Sequence, residues 1–268
     1  MTIAHIVTLL ATGVGAGFAS GFLGVGGALI TTPVQYAVYT AMNIPTDMAV
    51  KLAFGTSLLV VLPTAASGAW RHHKKGVVWW KAAAVMGGTG LACSYAGATL
   101  ATHLPGAGLK IAFGAVVLAV AVRMLVCPPL ETGEEPKDKP LLWALWAIPI
   151  GLASGILGIG GGVLMVPIMV LALKFKMHDA VATSLAVIIF TSIGGVVGYI
   201  INGLGVPNLP LHSIGYVNLL SGSLLAATSV GMAQAGAITA HRLPTRQLRY
   251  GFVGVMFYIG LRMLGVFG

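Results

Sequence analysis

The stretch Gly17-Phe-Ala-Ser-Gly-Phe-Leu-Gly-Val-Gly-Gly27, closed by Pro33, returns later in the chain as Gly151-Leu-Ala-Ser-Gly-Ile-Leu-Gly-Ile-Gly-Gly161, closed by Pro167. Other blocks return in the same order. Thr56-Ser57-Leu58 matches Thr183-Ser184-Leu185, Leu104-Pro105 matches Leu243-Pro244, and Arg123-Met124-Leu125 matches Arg262-Met263-Leu264. A correspondence running the length of the chain marks an internal duplication. Each glycine cluster also interrupts an apolar stretch, leaving short runs at 28–42 and 163–173. Glycine lets a chain leave helical geometry, so each half is expected to open with a broken or re-entrant helix pair.

Working outward, the surrounding sequence is almost entirely apolar. Of 268 residues, 57% are hydrophobic and only 8% are charged, where a water-facing domain carries about 25%. Six charges (Glu131, Glu134, Glu135, Lys137, Asp138, Lys139) crowd into one short stretch, which leaves too few to cover a soluble surface. A soluble enzyme and a disordered or fibrous chain are both excluded. Apolar runs fall at 3–23, 48–70, 77–101 and 109–126, then at 141–157, 180–201, 212–237 and 247–267. About 20 such residues span a bilayer as a helix. The expected fold is an all-α polytopic membrane protein made of residues 1–126 and 141–268, joined by an acidic linker at 127–140. Each repeat would hold the broken pair followed by three long transmembrane helices.

Charge placement gives the relation between the halves. Arg71, Lys74, Lys75 and Lys81 follow the first long helix of half one, but the equivalent 202–211 has no Lys or Arg. Only Lys110 marks the next loop in half one, against Arg242, Arg246 and Arg249 in half two; residues 42–47 have no basic group, against Lys174 and Lys176. Every equivalent loop changes its bias, as the positive-inside rule requires of an inverted repeat. The linker and the loops 71–81 and 242–249 would then be cytoplasmic, with both termini outside. The net charge of +9 is read as topology signals and interfacial anchors, so no nucleic acid partner is expected. Cys93 and Cys127 read as small buried hydrophobes. The N-terminal run is not read as a cleaved leader, because it has no Lys or Arg and recurs later.

Candidate chemistry centres on the glycine clusters. The short helix after each one aims free N–H groups and the positive end of its dipole at the glycines, an arrangement suited to an anion. The candidate binding residues are Gly26, Gly27, Gly160, Gly161 and Gly162, with hydroxyls from Thr56, Ser57, Thr183 and Ser184. Lys51 is added as a cation six residues before Ser57 with no basic counterpart. Competing readings stay open: Gly17, Gly21, Gly151 and Gly155 as helix-packing residues, and the Thr-Ser hydroxyls as bonded to their own helix. Lys110, Arg123, Arg249 and Arg262 read as interfacial, Asn202 as a loop residue, and Asn218 as a helix contact. His72-His73 reads as a solvated cytoplasmic loop pair. Outside the linker only Asp47 and Asp179 are acidic, both in first-turn positions, so a cluster of metal ligands is missing. No nucleophile has a base beside it, and neither glycine cluster is a phosphate-binding loop, since no Lys-Ser or Lys-Thr follows. No enzyme activity, cofactor or resident metal is expected.

These glycine blocks, the Thr-Ser-Leu blocks and the Arg-Met-Leu endings resemble the sulfite exporter TauE/SafE permeases over nearly the whole chain outside the linker. The resemblance implies a multi-pass permease of the bacterial inner membrane for sulfite, sulfoacetate or another small organosulfonate. The family's triple glycine is present as Gly160-Gly161-Gly162 but becomes Gly26-Gly27-Ala28 in half one. Expected partners are the small anion, the lipid bilayer and, as an open option, a second copy in a homodimer. A permease for another small anion or a divalent cation, an anion channel, and a non-transporting subunit docking through 71–81 are the alternatives.

Overall fold

In lipid, every backbone polar group must find its partner inside the protein, and a chain of helices does this segment by segment. The computed structural model describes residues 1–24, 26–126, 138–239 and 245–266. Val25, Cys127, Arg242, Leu243, Pro244 and most of the acidic linker lie outside the described residues, as do the side chains of Arg246 and Arg249. Half one comprises α1 (Ile3–Leu23), α2 (Ala28–Ala41), α3 (Thr46–His73), α4 (Trp80–His103) and α5 (Gly106–Val126). Half two comprises α6 (Pro140–Leu157), α7 (Gly162–Leu171), α8 (Met177–Ile201), the strands β1 (Ser213–Ile214) and β2 (Val217–Asn218), α9 (Leu219–Thr239) and α10 (Thr245–Leu264).

Five helices among the described residues are long and apolar enough to cross a membrane: α1, α3, α6, α8 and Gly106–Arg123 of α5. The chain is an all-α polytopic membrane protein. The less apolar α4 and α9 owe their composition to small residues that permit close packing. A methyl placed on Gly13, Gly17 or Gly21 would fall on Leu225, Ser229 and Ala233 in turn, so α1 and α9 run parallel with their backbones in contact. The mirror-image pairing holds α6 on α4, where Gly151 meets Gly90 and Gly155 meets Ser94. Without a hydrophobic driving force between helices in lipid, such close van der Waals contact supplies much of the association. The two halves are therefore interlocked: each gives its first helix to the other.

At the centre lie α3 and α8, apolar on nearly every face and buried from both sides. They run antiparallel, with Gly55 against Tyr199, Leu58 against Gly195, and Gly68 against Leu185. The outer equivalents α5 and α10 are antiparallel too, with Gly114 beside Leu264 and Gly260 beside Leu118. In contrast, α9 runs with α3: Thr64 meets Ser229 at 2.8 Å, and Ser67 donates to the Val230 carbonyl at 2.9 Å. The starts of α1, α3 and α9 hence share one end of the bundle. The short connector 42–45 brings the end of α2 there as well. The pair α1 and α2 enters and leaves at the same end, as a hairpin hinged on glycine.

Two sequence expectations need correction. The apolar run 212–237 is not one helix: α9 starts at Leu219, after a two-stranded hairpin in which Ser213 pairs with Asn218 and Ile214 with Val217. Asn218 Oδ1 accepts the Ser221 N–H at 2.9 Å, the N-cap bond that starts a helix, so Asn218 precedes α9. His72-His73 is not a loop pair. Both residues belong to α3, and His72 is buried at 2% exposure with Nε2 3.5 Å from the Gly21 carbonyl.

Candidate functional site

The site starts with the two glycine loops, whose end residues share the same backbone conformations. Gly24 and Gly158 end α1 and α6 at φ/ψ of 70/24° and 64/25°, and Gly27 and Gly161 open α2 and α7 at 77/−12° and 83/−15°. A side chain in this left-handed region costs roughly 1–2 kcal/mol, which is why glycine recurs at these positions. A methyl on Gly26 would stand 3.2 Å from Val61 Cγ1, and one on Gly160 would stand 3.0 Å from the same atom. Both also face Ile188. Val61 and Ile188 are equivalent residues of α3 and α8, so the loops converge where the central helices cross.

Donors collect at this point. Among the described residues, no backbone carbonyl accepts from the N–H of Gly160, Gly161, Gly162 or Val163. The hydroxyls of Ser154 and Ser192 are buried with no partner among the described residues and lie 3.6 Å and 3.5 Å from methyls placed on Gly161 and Gly160. Ser20, the counterpart of Ser154, is likewise buried with no partner among the described residues. An unsatisfied buried polar group costs about 1–3 kcal/mol, so this is an unusual concentration of unused donors. No group of three His, Cys, Asp or Glu residues that would hold a metal occurs among the described residues.

The Thr-Ser pairs are divided between tasks. Thr56 accepts the Asn218 N–H at 2.9 Å, and Thr183 accepts the Trp79 N–H at 3.1 Å. Each pins the start of a helix from the other half. Ser184 donates to Val181 O at 2.8 Å and to Gly24 O at 3.1 Å, tying α8 to the first glycine loop. Ser57 instead is approached by Thr31 Oγ1 at 3.2 Å, Thr32 Oγ1 at 2.9 Å and Gln35 Nε2 at 2.9 Å. Lys51 is not brought to the glycine loops. Its Nζ is 2.8 Å from Asp47 Oδ2, one turn back, and 5.9 Å from the centre of the Tyr216 ring.

Sequence reasoning passed over Thr31, Thr32, Gln35 and Tyr39, which form a buried polar face on α2. Tyr39 OH extends it, donating to Gln35 Oε1 at 3.3 Å and Thr56 Oγ1 at 3.4 Å. The signal was their helical spacing within a short, otherwise apolar segment.

Antiparallel central helices, glycine-broken hairpins and a cluster of donors at their crossing are the features of a polytopic membrane transporter fold. Residues 9–263 match the family described as Sulfite exporter TauE/SafE. The chain belongs to that family. It is 30% identical to a probable membrane transporter protein of Methanocaldococcus jannaschii, over 96% of this chain and 94% of the relative. It is 27% identical to one from Haemophilus influenzae, over 96% and 97%, and 27% identical to YunE of Bacillus subtilis, over 74% and 79%. No solved structure matches it. The family and the relatives identify a multi-pass membrane transporter.

Proposed function

We propose that the protein is a secondary transporter moving a small sulfur-containing anion, such as sulfite or an organosulfonate, across a bacterial inner membrane by alternating access. One observation carries this reading: the two glycine loops that open α2 and α7 converge on Val61 and Ile188, and the second leaves its N–H groups without backbone acceptors among the described residues. Each N-terminus is equivalent to roughly +0.5 charge, so the pair offsets about one negative charge with no cationic side chain. Gly26, Gly27, Gly160, Gly161 and Gly162 supply backbone N–H groups to the anion's oxygens, and Ser154 and Ser192 supply hydroxyls. Of the Thr-Ser hydroxyls, Ser57 is the best placed to join them; Thr56, Thr183 and Ser184 hold the loops and helix starts. The sulfur chemistry follows the family's description.

The repeats 1–126 and 141–268 are inverted in this reading, supported by the antiparallel course of α3 against α8 and α5 against α10. Rocking of one repeat against the other then exposes the crossing to each side alternately. The test is flux into proteoliposomes of sulfite, sulfoacetate, sulfate and acetate. Saturable sulfite or sulfoacetate uptake, competed by the other and accelerated by internal substrate, is the expected result. Flux that neither saturates nor shows counter-transport would assign a channel instead.

A further inference from the structure

The duplication supplies an internal control. Where α2 buries Thr31, Thr32, Gln35 and Tyr39, the equivalent positions bury Met165, Val166 and Met169 on α7 and Leu173 just after it. Both halves carry a glycine break with matching cap conformations and a Thr-Ser pair on the next helix. Packing in this fold therefore needs only apolar side chains at these positions, and polar groups inside a membrane protein are expensive and mark function.

The cluster is also dense in groups that can turn toward a ligand. Thr31, Thr32 and Gln35 all approach Ser57 Oγ within 3.2 Å, and each hydroxyl can rotate its proton from a neighbour to a bound oxygen. Ser221, buried at the start of α9 behind Asn218, turns its hydroxyl toward that of Tyr39. The Thr31 N–H bonds the Gly27 carbonyl at 3.2 Å, so the cluster begins one turn from the glycine loop, at the positive end of α2. Among the described residues no carboxylate belongs to it.

We propose that Thr31, Thr32, Gln35 and Ser57 form an off-centre subsite for the oxygens of the transported anion, present in half one only, with Tyr39 and Ser221 at its far end. Neutral O–H and N–H donors hold the oxyanion head there, and α7 offers an apolar wall at the equivalent place. This rests on the anion-transporter reading and adds to it that the substrate is held on one side of the molecular pseudo-two-fold. Binding strength then depends on α2, not on its mirror.

The experiment exchanges the α2 face for the residues of its own mirror. A T31M/T32V/Q35M variant, Gln35→Met alone, and the control Thr40→Val on the exposed face of α2 are purified in detergent. Binding is measured with sulfite, methanesulfonate, sulfate and acetate as probes, by ligand-dependent thermal shift and by flux. The triple variant is expected to melt near the wild type and to lose at least tenfold in apparent affinity for whichever probe the wild type binds. Gln35→Met is expected to lose a smaller factor, and Thr40→Val none. Wild-type affinity in both Met-bearing variants overturns the subsite and leaves the transporter reading standing. If wild-type affinity requires Na⁺ and the triple variant loses only that requirement, the cluster is a cation site and the proposal falls. A wild type that binds none of the probes overturns the anion reading together with its subsite.

Discussion

A methyl group on Gly21 would land on the Ala233 carbonyl, whereas one on Gly88 would meet nothing within 4 Å. Gly21→Ala must push α1 away from α9, and overpacking against backbone, which cannot rotate aside, sits at the upper end of the usual 1–3 kcal/mol or above it. Gly88→Ala lies inside α4 and removes a helix-interior glycine, a gain of about 0.5–1 kcal/mol. Thermal unfolding of the two variants in one detergent should move their midpoints in opposite directions. Thr183→Val isolates another residue-scale bond: it strips the acceptor from the Trp79 N–H while keeping the volume. A stability loss of about 1–3 kcal/mol is expected for that buried donor, with substrate affinity unchanged, because Thr183 pins α4 and does not face the loops. A selective loss of affinity at unchanged melting temperature would contradict this division of labour.

At the scale of elements, the decisive feature is the hairpin of α1 and α2 and its mirror, α6 and α7. Its glycine breaks and short second arms are legible in the sequence, because glycine spacing is a local backbone requirement that each copy must meet. Which helix each hairpin packs on is not legible, since the surfaces of α9 and α1 carry similar small residues and only the folded register pairs them across the halves. The start of α9 was hidden for another reason. Residues 212–218 are apolar enough to read as helix, yet Asn218 bonds Leu211 O, Ser213 Oγ and the Ser221 N–H, which fixes a turn there. His72 was hidden by its basic neighbours, although it occupies the position at which Tyr199 donates to the Gly155 carbonyl at 3.1 Å in the other half. The hairpin geometry predicts the sidedness of labelling. Single cysteines at Thr2 and Asn43, in a background lacking Cys93 and Cys127, should react with an impermeant thiol reagent from one side. Cysteines at Lys139 and Lys174 should react from the opposite side. Labelling of all four from one face would rule out inverted halves.

For the molecule as a whole, identity between the halves and difference between them carry separate information. Positions repeated in both halves, such as Gly24 with Gly158 and Thr56 with Thr183, turn out to shape loops and pin helices. The polar face of α2 has no repeat, so a reading built on repetition missed it, and Lys51, chosen for its lack of a counterpart, is held by Asp47. The proposed anion site takes in the glycine crossing, where the halves agree, and the α2 face beside it, where they differ. Gly161 tests the crossing most directly. Its φ of +83° and a neighbour 3.2 Å from an added methyl leave no room for a large side chain in the second loop. Sulfite counterflow in proteoliposomes should be saturable for the wild type and at least a hundredfold slower for Gly161→Leu, with both proteins eluting as the same monodisperse species. Unimpaired counterflow by Gly161→Leu would contradict the claim that the anion is held between the glycine loops.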